Sequence, residues 1–203
     1  MESERTVMQK LTYQDLYKLE EYARVRQQFR EQVIAHKKNR QLAIGPNATL
    51  SFEDRLTMQY QVQEMLRVER IFEPEGIEEE LAAYNPLIPD GSNWKATLLL
   101  EYPDVDERRA ALAQLRDVES RVWVRVAGHE QVWAIADEDL DRTNESKTSS
   151  VHFLRFELAP PMIGALKTGA GLTAGIDHPN YRHTVDPVPR PVRDALVRDL
   201  SDP

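Results

Sequence analysis

The densest group of side chains that could do chemistry lies in residues 53–69, where carboxylates, guanidinium groups and carboxamides follow one another. Apolar residues recur there at helical intervals, and on such a helix Arg55 and Glu69 lie along the apolar side. A charge on that side needs a partner, since an unpaired buried charge is strongly unfavourable. The segment therefore predicts a polar site, with surface ion pairs of a single helix as the alternative. Its candidate residues are Asp54, Arg55, Gln59, Gln63, Glu64 and Glu69.

A second group of short polar side chains lies in the sequence Asn-Pro-Leu-Ile-Pro-Asp-Gly-Ser-Asn, residues 85–93, just before a predicted core strand. Loops in this position commonly line sites. They also serve as plain connections from a helix to a strand, for which an Asp-Gly turn is well suited. We add Asn85, Asp90 and Asn93 to the candidate polar site, with that structural role as the alternative.

The absence of cysteine excludes disulfides, thiolate-bound iron–sulfur clusters and cysteine nucleophiles, and it leaves histidines and carboxylates as metal ligands. His178 and His183 lie between Asp177 and Asp186, so four nitrogen or oxygen donors fall within ten residues. We take the two histidines as candidate ligands of a divalent metal, although their spacing matches no diagnostic zinc motif. His152 alternates with apolar residues of a predicted strand, which is typical of a hydrogen-bonded core histidine, and it is also a candidate for the polar site.

Motifs that would identify a reaction are missing from the chain. There is no Gly-x-Ser-x-Gly nucleophile motif, no Gly-x-x-x-x-Gly-Lys phosphate loop and no Gly-x-Gly-x-x-Gly turn from a strand into a helix. The paired Glu-x-x-His motifs of di-iron bundles are also absent. The sequence therefore leaves open whether the protein is an enzyme, and it points to no cofactor beyond a divalent metal.

The charge of the chain is acidic and evenly spread. Its formal net charge is −8, and residues 1–93 and 94–203 each contribute half of it. Duplex nucleic acids bind clustered positive charge that displaces counterions from phosphates, so nucleic-acid binding is disfavoured. No stretch approaches the roughly 18–20 apolar residues of a membrane span, and the N-terminus lacks the apolar core of a signal peptide. We therefore expect a cytoplasmic protein that binds no membrane.

The hydrophobic period changes from 3.6 to 2 near residue 94. We predict an α+β fold in which a mainly helical region, residues 1–93, packs with an antiparallel-rich sheet region, residues 94–203, in one integrated globular unit. Capping spacing places the first two helix starts at Thr12 and Ser51. The acidic connection over residues 136–150 is expected to be exposed. The predicted helices are 12–38, 51–72, 77–84, 104–116, 160–169 and one after Pro191, and the predicted strands are 94–102, 122–126, 131–135, 151–158 and 172–176, with a turn or hairpin over 42–52.

Five short strings resemble an uncharacterised bacterial domain-of-unknown-function family, family 3501, and the similarity runs through most of the chain. This resemblance implies a bacterial cytoplasmic protein, often encoded near rubrerythrin and an iron–sulfur oxidoreductase, with no known catalytic residues. The strings are Phe-Glu-Asp-Arg at residues 52–55, Tyr-Gln-Val-Gln-Glu-Met at 60–65, Tyr-Asn-Pro-Leu-Ile-Pro-Asp-Gly-Ser-Asn at 84–93, His-Phe-Leu-Arg-Phe at 152–156 and Asp-His-Pro at 177–179.

Three hypotheses about function follow. The first is a non-enzymatic accessory or binding protein of a bacterial redox, peroxide or iron stress system, whose partner by resemblance is rubrerythrin or the iron–sulfur oxidoreductase. The second is a metal-binding protein or enzyme whose site joins the 53–69 helix, the 85–93 loop and histidines of the C-terminal half in one pocket. The third is a structural protein that forms a homodimer through its N-terminal helices.

Overall fold

The computed structural model describes residues 9–139, 142 and 147–202. Within these residues the chain forms six α-helices and nine strands. The helices are α1 Leu19–Lys37, α2 Arg55–Glu69, α3 Pro74–Tyr84, α4 Val105–Gln114, α5 Pro160–Lys167 and α6 Arg190–Val197. The strands are β1 Gln41–Ala43, β2 Ala48–Glu53, β3 Asn93–Leu100, β4 Val122–Val126, β5 Gln131–Trp133, β6 Ile135–Ala136, β7 Val151–Glu157, β8 Leu172–His178 and β9 Tyr181–Val185.

The strands form two antiparallel sheets. The first has the order β1-β2-β3-β7-β6 and the second the order β5-β4-β8-β9. Only Ala134 separates β5 from β6, so the chain passes directly from the second sheet to the first. Alternate residues of both sheets contribute to one apolar core, which includes Phe52, Trp94, Phe156 and Ile176. The two sheets therefore enclose a shared interior.

The predicted fold class is confirmed, because helices dominate the N-terminal half and strands the C-terminal half. The predicted hairpin over residues 42–52 is present as β1 and β2. These two strands come from the first predicted region, yet β2 pairs along its whole length with β3 of the second region. One sheet thus crosses the predicted division at residue 93. The prediction missed β9, which pairs with β8.

The predicted start of the first helix is wrong. The capping box of Thr12 and Asp15 is present, but it closes a single 3-10 turn, and α1 begins only at Leu19. Carboxamides of α2 hold the intervening backbone: Gln59 donates to the carbonyl of Asp15, and the Gln63 Oε1 atom accepts from the Tyr17 amide at 2.6 Å. These tertiary hydrogen bonds replace helical ones at this point.

The predicted start of the second helix is also wrong, by about one turn. Ser51 and Phe52 belong to β2, where they pair with Thr97 and Ala96. The helix instead begins after Asp54, whose side chain accepts from the Thr57 amide at 2.9 Å. Pairing with β3 and burial of the Phe52 ring outweigh the local capping signal.

The three N-terminal helices pack through apolar clusters of their own. One cluster joins Val62 and Leu66 of α2 to Leu81 of α3. Another contains Tyr22 and Phe29 of α1, whose rings meet edge to face. Among the residues that the structure describes, no helix has both the length and the apolar character that crossing a membrane requires.

We predict that Gln63→Ala lowers the free energy of unfolding by about 1–3 kcal/mol, because it leaves the amide and carbonyl of Tyr17 without their partner. Urea denaturation would measure the change. Gln32→Ala is a matched control, since Gln32 is an exposed glutamine in the interior of α1. Equal stability losses in both variants would contradict the structural role of Gln63.

Candidate functional site

Three residues of the predicted polar site, Asp54, Arg55 and Gln59, line one open cleft of about 340 Å³. The cleft lies where the end of α1, the start of α2 and the segment after α6 meet. The predicted polar site did not include the other polar members of the cleft, which come from the end of α1, the turn after it and the segment after α6. The remaining lining residues of the cleft are His36, Arg40, Leu56, Arg198 and Asp199.

Arg40 is the buried centre of this cleft, with only 2% of its surface exposed. Its guanidinium donates to the carbonyls of Phe52 and Glu53 at 3.0 and 3.1 Å. It also forms an ion pair with Asp199 at 2.5 Å, and its Nε atom lies 3.3 Å from Asp54. Arg40 therefore fastens the end of β2 to the C-terminal segment.

Asp54 has two roles in the cleft. One carboxylate oxygen caps α2, and the other lies 2.5 Å from the Nε2 atom of His36. Burial opposes ionisation of Asp54, but the hydrogen bond with His36 and the charge of Arg40 outweigh it and lower its pKa. The result is an ionised carboxylate that orients the imidazole of His36.

The surroundings of Asp199 shift its pKa in the opposite direction to that of Asp54. Burial raises the pKa of this carboxyl group to about 6, although the charge and hydrogen bond of Arg40 act to lower it. Desolvation thus exceeds the stabilisation that its guanidinium partner provides.

The other predicted residues of α2 lie outside this cleft. Gln63 is fully buried against the backbone of Tyr17. Glu64 accepts hydrogen bonds from Arg26 and Tyr22, and the bond from Arg26 is the main reason that its pKa falls to about 2. Glu69 is exposed at the end of the helix, so its position along the apolar side does not bury it.

The predicted residues of the 85–93 loop hold backbone and side chains in place. Asn85 exchanges two hydrogen bonds with the backbone of Leu11, at 2.7 and 2.9 Å. Asp90 accepts from the amide and hydroxyl of Ser92, and Asn93 donates to Glu157. None of the three predicted loop residues lines the cleft described above.

The predicted metal ligands His178 and His183 contact backbone and aromatic groups. The Nε2 atom of His178 lies 3.0 Å from the carbonyl of Arg116, and its Nδ1 atom accepts from the amide of Asn180. The ring of His183 contacts that of Tyr181 in a tilted arrangement, with the ring centroids 4.6 Å apart. The His183 ring also lies so close to Gly45 that a Cβ atom at residue 45 would be only 2.6 Å from the ring. Among the described residues, neither histidine belongs to a group of three metal-binding side chains.

His152 belongs to a different cluster, which the structure assembles from three separate elements. It lies on β7, opposite Leu98 of β3, and is completely buried. Its Nδ1 atom lies 2.5 Å from an oxygen of Asp137, the residue after β6. Its Nε2 atom lies 3.7 Å from an oxygen of Glu119, which lies in a 3-10 helix before β4. Ligand atoms of the three side chains all lie within 4.8 Å of one another.

Neighbouring groups fix this His152 cluster in place. Thr148 lies 2.8 Å from the Nε2 atom of His152, and its hydroxyl also reaches Glu119. Arg142 donates to Asp137 at 3.1 Å and lies over the ring of Phe153. The backbone of Asp137 is in the left-handed conformation, with a φ of 48°. Its carboxylate is held in place by the hydrogen bond that it accepts from the amide of Phe153.

Sequence reasoning named His152 but missed Glu119 and Asp137. Asp137 lies in the acidic 136–150 connection, which was the one available signal. That connection is not uniformly exposed, since Thr148 is buried and the side chain of Asp137 is only 7% exposed. Residues 140, 141 and 143–146 of the connection lie outside the described residues.

The fold and this cluster define an α+β protein with two antiparallel sheets around one core and a buried group of one histidine and two carboxylates. The chain belongs to the family described as protein of unknown function, DUF3501, which it matches over residues 10–200. This confirms the resemblance found in the sequence. No curated protein matches the chain.

The chain is also similar to a solved crystal structure, that of a novel protein of unknown function from Burkholderia pseudomallei K96243. The two share 51% sequence identity and superpose with a TM-score of 0.91. The match covers 95% of this chain and 100% of the other. The architecture described above is therefore that of a solved relative.

We predict that the Asp199 carboxyl group makes stability depend on pH. Its pKa is about 6 in the folded protein, above the ordinary value of 3.8 for an aspartate, so folding favours its protonated form. The stabilisation from this group is complete below about pH 4 and is lost as the pH rises to about 6, on the order of 2–3 kcal/mol. Asp199→Asn should remove this dependence.

The measurement is the difference in unfolding free energy between the wild type and Asp199→Asn, from urea denaturation at several values between about pH 4 and 7. Asp202→Asn is the control, because the Asp202 side chain is 83% exposed in the same segment. A difference that stays constant across this range would contradict the prediction.

Proposed function

We propose that this protein binds a divalent metal ion through Glu119, Asp137 and His152. The observation that carries the proposal is the convergence of these three side chains, from three separate elements, within 4.8 Å. One nitrogen and two carboxylate donors suit Zn²⁺, Fe²⁺ or Mn²⁺. With three protein donors, an ion keeps coordination positions for water or another ligand.

The dimensions of the His152 cluster support binding of an ion. Donors that bind one ion at about 2.1 Å lie no more than about 4.2 Å apart. The donors now lie within 4.8 Å of one another, with Asp137 at Nδ1 and Glu119 at Nε2 of the ring, so they must move closer together around an ion. The surrounding contacts from Thr148 and Arg142 are of the kind that orient metal ligands.

The local charge also supports a cation. Arg142 is shared between Asp137 and Asp139, which it contacts at 3.1 and 2.6 Å. Glu119 lies on the other side of the His152 ring. These carboxylates would stabilise a bound cation in a site where burial strengthens electrostatic interactions.

We predict that untagged protein, purified without chelators, contains about one transition metal per chain, and that Glu119→Gln removes most of it, because an amide is a weaker ligand than a carboxylate. Elemental analysis would measure the content. Added Mn²⁺ or Zn²⁺ should raise the thermal midpoint of metal-free wild type and leave that of Glu119→Gln unchanged.

Two variants serve as controls for metal binding. Glu53→Gln alters another buried carboxylate, which hydroxyl groups of Thr57 and Thr97 hold. His178→Gln tests the ligand pair that the sequence predicted. Both should keep the metal of the wild type. Absence of metal from the wild type even after incubation with these ions, or equal content in Glu119→Gln, would refute the proposal.

A second candidate function is an accessory protein of a redox, peroxide or iron stress system, and it is supported by a groove of about 210 Å³ between α2, α3 and the segment before α1, in which aromatic side chains lie beside Lys18 and Glu20. Phe72 in this groove is 65% exposed, and Tyr13 and Tyr17 are 43% and 36% exposed. Exposed aromatic groups of this kind are typical of binding surfaces for partner proteins. The proposed partners are rubrerythrin or an iron–sulfur oxidoreductase.

We predict that Phe72→Ser weakens binding of a purified rubrerythrin or iron–sulfur oxidoreductase at least tenfold, since loss of a buried aromatic anchor costs about 2 kcal/mol or more. Surface plasmon resonance would measure the affinity. Val105→Ser is the control, because Val105 is 56% exposed on α4, away from the groove. Lack of binding by the wild type to both partners would rule out this second function.

A further inference from the structure

The open cleft around Arg40 is a separate site from the His152 cluster and shares no residue with it. Its two carboxylates are already paired inside the protein. Asp54 interacts with His36 and Arg40, and Asp199 interacts with Arg40. Both carboxylates of the cleft are therefore held by groups in its wall.

Two further guanidinium groups line this cleft. Arg198 follows α6 and is exposed, and its guanidinium forms no hydrogen bond or ion pair with any other residue that the structure describes. Arg55 is 24% exposed and pairs with Asp15, which lies outside the cleft lining. Among the described residues, the Arg198 guanidinium thus has no carboxylate partner, whereas Arg55 is held by Asp15 and by the carbonyl of Gln9.

The imidazole of His36 adds a third group. Its Nε2 atom is held by Asp54, and 34% of the side chain is exposed. Within the described residues, its Nδ1 atom has no hydrogen-bond partner. A carboxylate that holds one ring nitrogen fixes the ring and leaves the other nitrogen available to a ligand.

We propose that this cleft binds a small organic anion that carries a carboxylate or a phosphate group. The guanidinium of Arg198 pairs with its oxygen atoms, a geometry for which arginine is well suited, and Arg55 adds its positive charge to the same cleft wall. When the imidazole of His36 is protonated, its Nδ1–H group donates a further hydrogen bond to the anion. The cleft volume of about 340 Å³ is within the range of small-molecule pockets, about 300–1,000 Å³. This inference is independent of the proposed metal site.

Isothermal titration with malonate and, separately, with inorganic phosphate tests the proposal on the full-length protein. We expect a dissociation constant of about 1 mM or tighter for at least one probe. Arg198→Gln should weaken that binding about tenfold or more, because it removes a charge-assisted hydrogen bond. His36→Gln should weaken it as well. Arg190→Gln is the matched control, since Arg190 is 90% exposed at the other end of α6.

Each outcome decides the proposal. Binding of malonate alone assigns the cleft to carboxylates, and binding of phosphate alone assigns it to phosphate-bearing molecules, provided that Arg198→Gln weakens it and Arg190→Gln does not. The inference is overturned if the wild type binds neither probe, or if the Arg198→Gln and Arg55→Gln variants bind as the wild type does. Thermal midpoints equal to that of the wild type would show that the variants remain folded.

Discussion

The guanidinium of Arg40 holds together the parts of the molecule that surround the open cleft. It is buried, and it binds the last carbonyls of β2 and the carboxylate of Asp199 at the same time. Without this guanidinium, the carbonyls of Phe52 and Glu53 and the carboxyl group of Asp199 would lose their donor, and breaking a buried pair in this way costs about 3–5 kcal/mol. Arg40 therefore docks the segment after α6 against β2, and this keeps Arg198 beside the start of α2.

The first sheet carries both candidate sites. In one row across it, Leu50 of β2 lies opposite Leu98 of β3, and Leu98 lies opposite His152 of β7. The end of β2 leads directly to Asp54 in the cleft, while β6 on the far edge leads to Asp137 beside His152. Because register sets which face each side chain occupies, a slip of one residue would remove His152 from its partners.

Local sequence patterns predicted some residues of the cleft. They did not predict how the His152 cluster is assembled. Asp54, Arg55 and Gln59 were found because a cap and a helical period are properties of neighbouring residues. Arg40 and Asp199 are separated by 159 positions, and only tertiary packing brings them together. Glu119 and Asp137 share no sequence periodicity with His152, because only tertiary packing brings these three residues together. The helix start predicted at Ser51 failed because pairing between β2 and β3 is likewise non-local.

The two proposed sites are suited to ions of opposite sign on one acidic chain, and the reason lies in their local contacts. Around His152, the carboxylates of Asp137 and Glu119 lie on either side of the ring, and the proposed ligand is a cation. In the cleft, Asp54 and Asp199 are held by Arg40 and His36, and the side chain of Arg198 adds a positive charge. Salt screens charges beyond about 10 Å at 0.1 M, so the net charge of the chain has little influence on either site. The partners of each site follow from its own contacts, which composition alone does not reveal.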